Sequence, residues 1–354
     1  MDNFDFYNPT KILFGKNRIE ELDKEIPKKA KVLILYGGGS VKTHGTLDKV
    51  RKALKNRDVQ EFSGIEPNPS YETLMKAIAV VKEEKRDFLL AVGGGSVIDG
   101  TKFIAVAANY PGENATELLL KPALYTALEQ VLPIGTVLTL PATGSEMNMG
   151  AVITYNKGKY AVFNSKAYPK FSFLDPTLTY TLPKTQVANG IIDAYVHVCE
   201  QYVTYPANAL FQDQMAEGIL RNLITIGKTC IDEPTNYEMR ANLMWNATMA
   251  LNGLLRVGTP QDWSTHQIGH QLTASFGIDH AQTLAIVMPS LWEHHKKQKR
   301  EKLIQYGKQV FHLQGTDDQI VDVAIEQTRA FFESLGVATK LSGHGVPKKA
   351  LAKL

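Results

Sequence analysis

The strongest constraint in this sequence is a change of period part-way along the chain. Up to about residue 180, short apolar runs of strand length alternate with helical patterns; from Pro183 onward nearly every segment is helical. Lys31–Tyr36 (KVLILY) reads as a buried strand and ends on Gly37-Gly38-Gly39-Ser40. Leu47, Val50, Arg51 and Leu54 then trace one helical face, and Ser70-Tyr71-Glu72-Thr73 opens a helix with Leu74, Ile78 and Val81 on its apolar side. Phe88–Val92 is a second buried strand, again followed by glycines. Thr101–Asn109 reads as helix, and Leu132–Leu140 as a third strand. Strands without polar alternation, spaced by helices, predict a parallel sheet covered on both faces. Beyond Pro183, helices are expected over 189–204, 211–229, 237–255, 263–276 and 281–295. The expected fold is therefore an N-terminal α/β domain, Rossmann-like with a parallel sheet, over 1–180, and an all-α domain over 181–354.

Composition narrows the class. With 44% hydrophobic and 21% charged residues, the 354-residue chain can build a large core without staples. A formal charge of +3 is too weak to imply a nucleic-acid partner or an anionic membrane surface. The basic block His294–Arg300 reads as a solvated helix face. Two cysteines, Cys199 and Cys230, in no paired spacing, fit free thiols in a reducing cytosol. No secretory leader pattern or membrane-length apolar run is present, so a cytoplasmic protein is expected.

The glycine triplets are the first chemical signal. Gly93-Gly94-Gly95-Ser96 follows a strand and opens a helix, where bare N–H groups and a partial positive charge suit a pyrophosphate. One such triplet reads equally well as a tight turn, but Gly37-Gly38-Gly39-Ser40 repeats the arrangement. An acid after such a strand would grip a ribose 2′-hydroxyl. This loop has none; it offers backbone N–H groups, Ser40 and Lys42, which would accept a 2′-phosphate. NADP(H) is therefore expected over NAD(H). In the third polar loop, Leu140–Glu146, Thr143 and Ser145 read either as cofactor contacts or as local caps.

Histidine spacing is the second signal. Asp193 and His197 lie four apart on one predicted helix, His266 and His270 repeat that spacing on another, and His280 follows ten residues later. Singly, each histidine reads as a satisfied polar residue. Together, one carboxylate and several imidazoles on neighbouring turns favour a divalent-cation site. His266-Gln267-Ile268-Gly269-His270 lacks the glutamate of a metalloprotease helix. Gly269 permits close helix packing.

With these residues in view, the sequence resembles the iron-containing (group III) alcohol dehydrogenases, in their NADPH-dependent aldehyde reductase and butanol dehydrogenase branch. The likeness is carried, in family order, by Ile65–Pro69, Gly93–Asp99, Leu140–Glu146, Asn189–Asp193, and Trp263–His270 through His280. The resemblance implies the dehydroquinate synthase-like fold and a metal held by Asp193, His197, His266 and His280, Fe²⁺ typically and Zn²⁺ in some members. It implies cofactor contacts from Gly93, Gly94, Gly95, Ser96 and Asp99, with Thr139 and Thr143 beside them and Lys159 near the ribose. It places His270 near nicotinamide and substrate, where an imidazole is a candidate proton relay, and His266 and His270 are the expected catalytic residues. It further implies a homodimer formed through Lys11–Gly15, and short-chain aldehydes or primary alcohols as substrates. The chain departs from the pattern at Asp279-His280-Ala281, where members often carry Pro and Gly around the histidine, and it is shorter than typical members, so a final helix pair is expected to be absent. Rival readings are a glycerol dehydrogenase or dehydroquinate synthase type of activity, a non-haem iron oxygenase, and a non-catalytic NADP-binding sensor; the second dinucleotide-like loop argues against the oxygenase, and the absence of a basic face or DNA-reading motif argues against the regulator.

Overall fold

The structure, a computed structural model, describes residues 1–353, with side chains through Ala350. It divides into two compact units: one of Asn8–Thr181, the other of Leu182–Leu354 together with Met1–Tyr7. The first seven residues, which the sequence pattern places with the α/β part, thus cluster with the helical unit. The Asp2 N–H donates to Gly258 O at 3.2 Å there, and the Met1 amino group to Ala207 O.

The α/β unit is a six-stranded sheet, every pairing parallel, in the order β1-β8-β5-β4-β2-β3. The strands are β1 (Lys11–Phe14), β2 (Lys31–Tyr36), β3 (Asp58–Phe62), β4 (Phe88–Gly94), β5 (Ile134–Leu140) and β8 (Phe171–Leu174). Between β5 and β8 the chain forms an antiparallel hairpin of β6 (Gly150–Tyr155) and β7 (Gly158–Phe163). β2, β4 and β5 are the three strands readable from sequence, because they are central and their apolar runs are buried from both faces. β3 is an edge strand with a half-buried, polar sequence (DVQEF), and β1 and β8 have only four residues each; none carries a periodic signal long enough to read. β5 begins at Ile134 rather than Leu132, after Pro133.

The chain leaves β2 for β3 on one side, then returns for β4 on the other side of β2. That reversal leaves a crevice beyond the carboxyl ends of β2 and β4, the usual ligand position in open parallel sheets. Tyr36 pairs in register with Val92, so the two glycine loops emerge side by side there. The helix after β4 spans Gly95–Ala107, starting six residues before the expected Thr101: its first turn is made by the glycine loop itself.

The helical unit contains Lys184–Tyr202, Leu210–Asp232, Tyr237–Ala250, Ser264–Phe276, His280–His294, Arg300–Val310 and Asp317–Ser334. Its core runs from Val187 and Ile191 on the first of these to Phe332 on the last. Thr316 and Gln319 close a reciprocal capping box on the last helix. Helix Tyr237–Ala250 stops five residues short of the expected Leu255. Helix Ser264–Phe276 ends at Gly277, whose φ of +68° terminates it in the left-handed region.

Candidate active site

In the helical unit, four of the expected residues converge. Asp193 and His197 sit one turn apart on the buried helix Lys184–Tyr202. His266 is in the first turn of Ser264–Phe276, and His280 is the first residue of His280–His294. Gly269 brings these last two helices together: a Cβ there would stand 2.8 Å from Thr283 Oγ1 and 3.1 Å from Leu284 Cδ2. The Nε2 atoms of His197, His266 and His280 lie 3.6, 3.7 and 3.7 Å from one oxygen, Asp193 Oδ1. Ligand atoms of Asp193, His266 and His280 all fall within 4.8 Å of one another. His197 joins them through Asp193 and stacks on His266 at 4.8 Å between ring centroids.

These separations are those of a cation's ligands rather than of hydrogen bonds. Donors at about 2.1 Å from a tetrahedral ion stand about 3.4 Å apart. Asp193 Oδ1 and His266 Nε2 are buried and have no hydrogen-bond partner, a costly arrangement unless something is held between them. Burial by itself would push the Asp193 carboxyl up, but the imidazoles of His197, His280 and His266 outweigh it and hold the group well below the usual carboxylate range. An ionised carboxylate and three imidazoles suit a divalent cation of intermediate hardness. His270 is adjacent but outside this set, its ring 5.3 Å from that of His280 and 6.2 Å from that of His266.

In the α/β unit the glycine loops are shaped by close contact. A Cβ on Gly95 would lie 2.4 Å from Thr143 Oγ1, and one on Gly93 2.6 Å from Val97 Cγ2. Gly39 has a φ of +121° and precedes the short helix Ser40–Thr43. Gly38, Ser40 and Lys42 are exposed, with Lys42 Nζ 5.1 Å from the centre of the Tyr36 ring. Lys159 Nζ donates to Asn68 Oδ1 at 2.6 Å, and the Asn68 N–H donates to Ser96 Oγ at 3.2 Å. Lys159 is thereby carried from β7 to the first turn of Gly95–Ala107. Thr139 is half-buried near the end of β5.

Residues 9–176 match the family described as iron-containing alcohol dehydrogenase, and residues 187–354 match its C-terminal part. The chain belongs to the iron-containing alcohol dehydrogenase family. It is an oxidoreductase of that type, in the branch that holds YqhD. The NADPH-dependent aldehyde reductase YqhD of Escherichia coli K12 is 55% identical over 100% of this chain and 92% of its own length. NADH-dependent butanol dehydrogenase A of Clostridium acetobutylicum is 41% identical over 99% of this chain and 91% of that protein. The crystal structure of E. coli YqhD superposes with a TM-score of 0.97, at 54% identity, covering 99% of this chain and 91% of that one. That of NADH-dependent butanol dehydrogenase A from Thermotoga maritima gives 0.94 at 38%, covering 100% and 89%. The family implies a metal and a nicotinamide dinucleotide.

Within this iron-type dehydrogenase, two of the expected cofactor contacts, Ser145 and Asp99, also belong to a buried network. Ser145 is buried, and its hydroxyl accepts from Lys102 Nζ at 2.8 Å and donates to Asp99 Oδ1. Asp99 Oδ2 accepts the Val152 N–H at 2.9 Å, which ties the helix after β4 to β6. Thr143 acts as a local cap, its Oγ1 accepting the Ser145 N–H at 3.1 Å. Sequence reasoning missed the centre of this network. Lys102 is fully buried and also donates to Asn148 Oδ1 at 2.9 Å and Gly150 O at 2.8 Å. Burial pulls its pKa down to about 8, against the opposing pull of Asp99 and Glu146. Nothing local marks a lysine inside an apolar helix as internal. Also missed were Trp263, whose ring stands edge-on to His266 at 5.4 Å, and Glu200, which contacts His266. Asp193, His197 and Glu200 follow one another at i, i+4 and i+7, so helical phase was the signal for Glu200.

Proposed function

We propose that this dehydrogenase transfers hydride between NADP(H) and short-chain aldehydes or primary alcohols, with a divalent metal held by Asp193, His197, His266 and His280. The convergence of three imidazole nitrogens on one buried carboxylate oxygen carries the reading. Fe²⁺ is the metal the family name favours; the donor set suits Zn²⁺ equally. When bound, the metal supplies Lewis-acid polarisation of the substrate oxygen and the nicotinamide exchanges the hydride. The protein's own groups do the rest. Gly93–Ser96 offer the N–H groups of a helix start to the pyrophosphate. Lys159 and Ser96, linked through Asn68, would hold the sugar. Trp263 walls one side of the imidazole cluster and limits water there. His270, beside the cluster but outside it, would hand on the proton.

NADP(H) follows from the loop after β2: residues 37–42 contain no carboxylate, while Ser40 and Lys42 are exposed and available to a 2′-phosphate. The names of relatives divide on this point, NADPH for YqhD and NADH for butanol dehydrogenase A of Clostridium acetobutylicum. Reduction of butanal under anaerobic Fe²⁺ should therefore show kcat/KM for NADPH above that for NADH by about tenfold or more, on the order of one charge-assisted contact. A preference for NADH refutes the loop argument.

A homodimer through the N-terminal strand is part of the proposal. β1 pairs with β8 on one side and forms an edge of the sheet, a position open to strand addition. Among the described residues no helix is long and apolar enough to cross a membrane. Cys199 and Cys230 are free and buried, which supports a reducing cytoplasmic setting.

A further inference from the structure

Glu200 lies on the same helix as Asp193 and His197, seven residues beyond the first, and is 4% exposed. Both its oxygens are used on one residue of another helix. Oε1 accepts the backbone N–H of His266 at 3.1 Å, and Oε2 contacts ring Nδ1 of the same residue. The backbone contact satisfies one of the orphan N–H groups that open Ser264–Phe276, where the N-cap position, Trp263, makes no side-chain cap. A carboxylate there also meets the positive end of the helix.

The ring contact has a separate consequence. An ionised carboxylate accepts and has no proton to give, so the proton of a neutral imidazole must sit on Nδ1. Nε2 then carries the lone pair. That is the atom 3.7 Å from Asp193 Oδ1, buried and without a hydrogen-bond partner. One side chain thus sets the helix start, the ring orientation and the tautomer together.

We propose that Glu200 is the positioning residue of this centre, fixing His266 in the Nδ1–H form with Nε2 aimed at the cation. The inference rests on the metal reading above. Glutamine in its place keeps one acceptor and turns an N–H group toward the other partner. With the backbone N–H still served, the amide would donate to Nδ1, and the proton would move to Nε2, where it blocks coordination. A residue that merely caps the helix would tolerate that change.

The test compares Zn²⁺ affinity of the full-length wild type, Glu200→Gln and Asp193→Asn by competition with a chelator, alongside the melting temperature of each metal-free protein. Loss of an outer carboxylate on a ligating histidine costs about 10–100-fold in metal affinity. That loss is expected for Glu200→Gln, with its metal-free melting temperature within about 3 °C of wild type. Zinc affinity within threefold of wild type overturns the proposal. If Glu200→Gln does not fold, ¹⁵N-histidine spectra of the zinc-loaded wild type decide: His266 protonated at Nδ1 supports the assignment, and protonation at Nε2 defeats it. Wild type and Asp193→Asn alike in failing to hold zinc would bring down the metal reading and this proposal with it. Wild type binding zinc, Asp193→Asn losing it and Glu200→Gln retaining it would remove the role of Glu200 alone.

Discussion

Lys102 in the α/β unit and Asp193 in the helical unit are both buried charges, and the protein treats them in opposite ways. Lys102 has three acceptors within 2.9 Å, the hydroxyl of Ser145, the amide oxygen of Asn148 and the carbonyl of Gly150. Asp193 Oδ1 has three imidazole nitrogens around it, all beyond hydrogen-bond distance, and no bonded partner. A saturated buried charge holds backbone segments together: Lys102, with Asp99, fastens the helix after β4 to the turn before β6. An unsaturated, convergent one is pre-arranged for something else to complete it. The two networks differ in what they are for, and bond counting separates them where burial does not.

Three changes put that contrast under strain. The largest effect is expected at His266. His266→Ala should lose the metal, and turnover should fall on the order of 10³-fold, as when a group stabilising developing charge is removed, while NADPH binding, measured by fluorescence, survives. A variant with full metal content and full activity would sink the assignment.

Next is Lys102→Met, which leaves three acceptors and the nearby Asp99 and Glu146 without their cation. It should destabilise the α/β unit by about 3 kcal/mol in denaturant titrations, with zinc uptake unchanged. Loss of metal at unchanged stability would reverse the roles of the two networks. The pH dependence has a definite sign. Burial lowers the folded pKa of Lys102 to about 8, below its ordinary value of 10.5, so between these values the unfolded chain binds the proton that the folded chain has released. Stability from this group therefore rises with pH across that window and is lost as pH falls through 8. The advantage of wild type over Lys102→Met should widen by roughly 1 kcal/mol per pH unit between pH 8 and 10.

His270 is the intermediate case, one turn from His266 but outside the convergent set. His270→Asn should lower turnover about 10²-fold, the scale of a positioned proton-transfer group, with metal content intact. Loss of metal would move His270 into the ligand set.

What could be read from the chain depended on how local the physics was. The strands β2, β4 and β5 announced themselves because burial on both faces demands uninterrupted apolar runs. The glycine turns were visible because close backbone approach leaves no room for a Cβ, as at Gly95 against Thr143. Asp193–His197 and His266–His270 were visible because helical phase puts residues four apart on one face. Ser145 and Asp99 were expected to face the cofactor; that they also surround a buried Lys102, 43 residues from Ser145 in sequence, was not legible. β3 and β1 were hidden because an edge strand needs no full apolar run, and β8 because four residues show no period.

By itself, then, the sequence determined the two-part plan, the glycine loops and a set of histidines competent for a cation. The tertiary structure alone decided which chemistry each polar group is spent on. It brought the carboxyl ends of β2 and β4 together at the reversal of strand order. It aimed three imidazoles at one oxygen of Asp193, and set Glu200 against the first turn of a helix 66 residues away. The physical reason is that periodicity reports only the face on which a side chain lies. Whether a buried charge is saturated or left open depends on atoms that distant elements supply within about 3 Å, and that distance is set only when the elements pack.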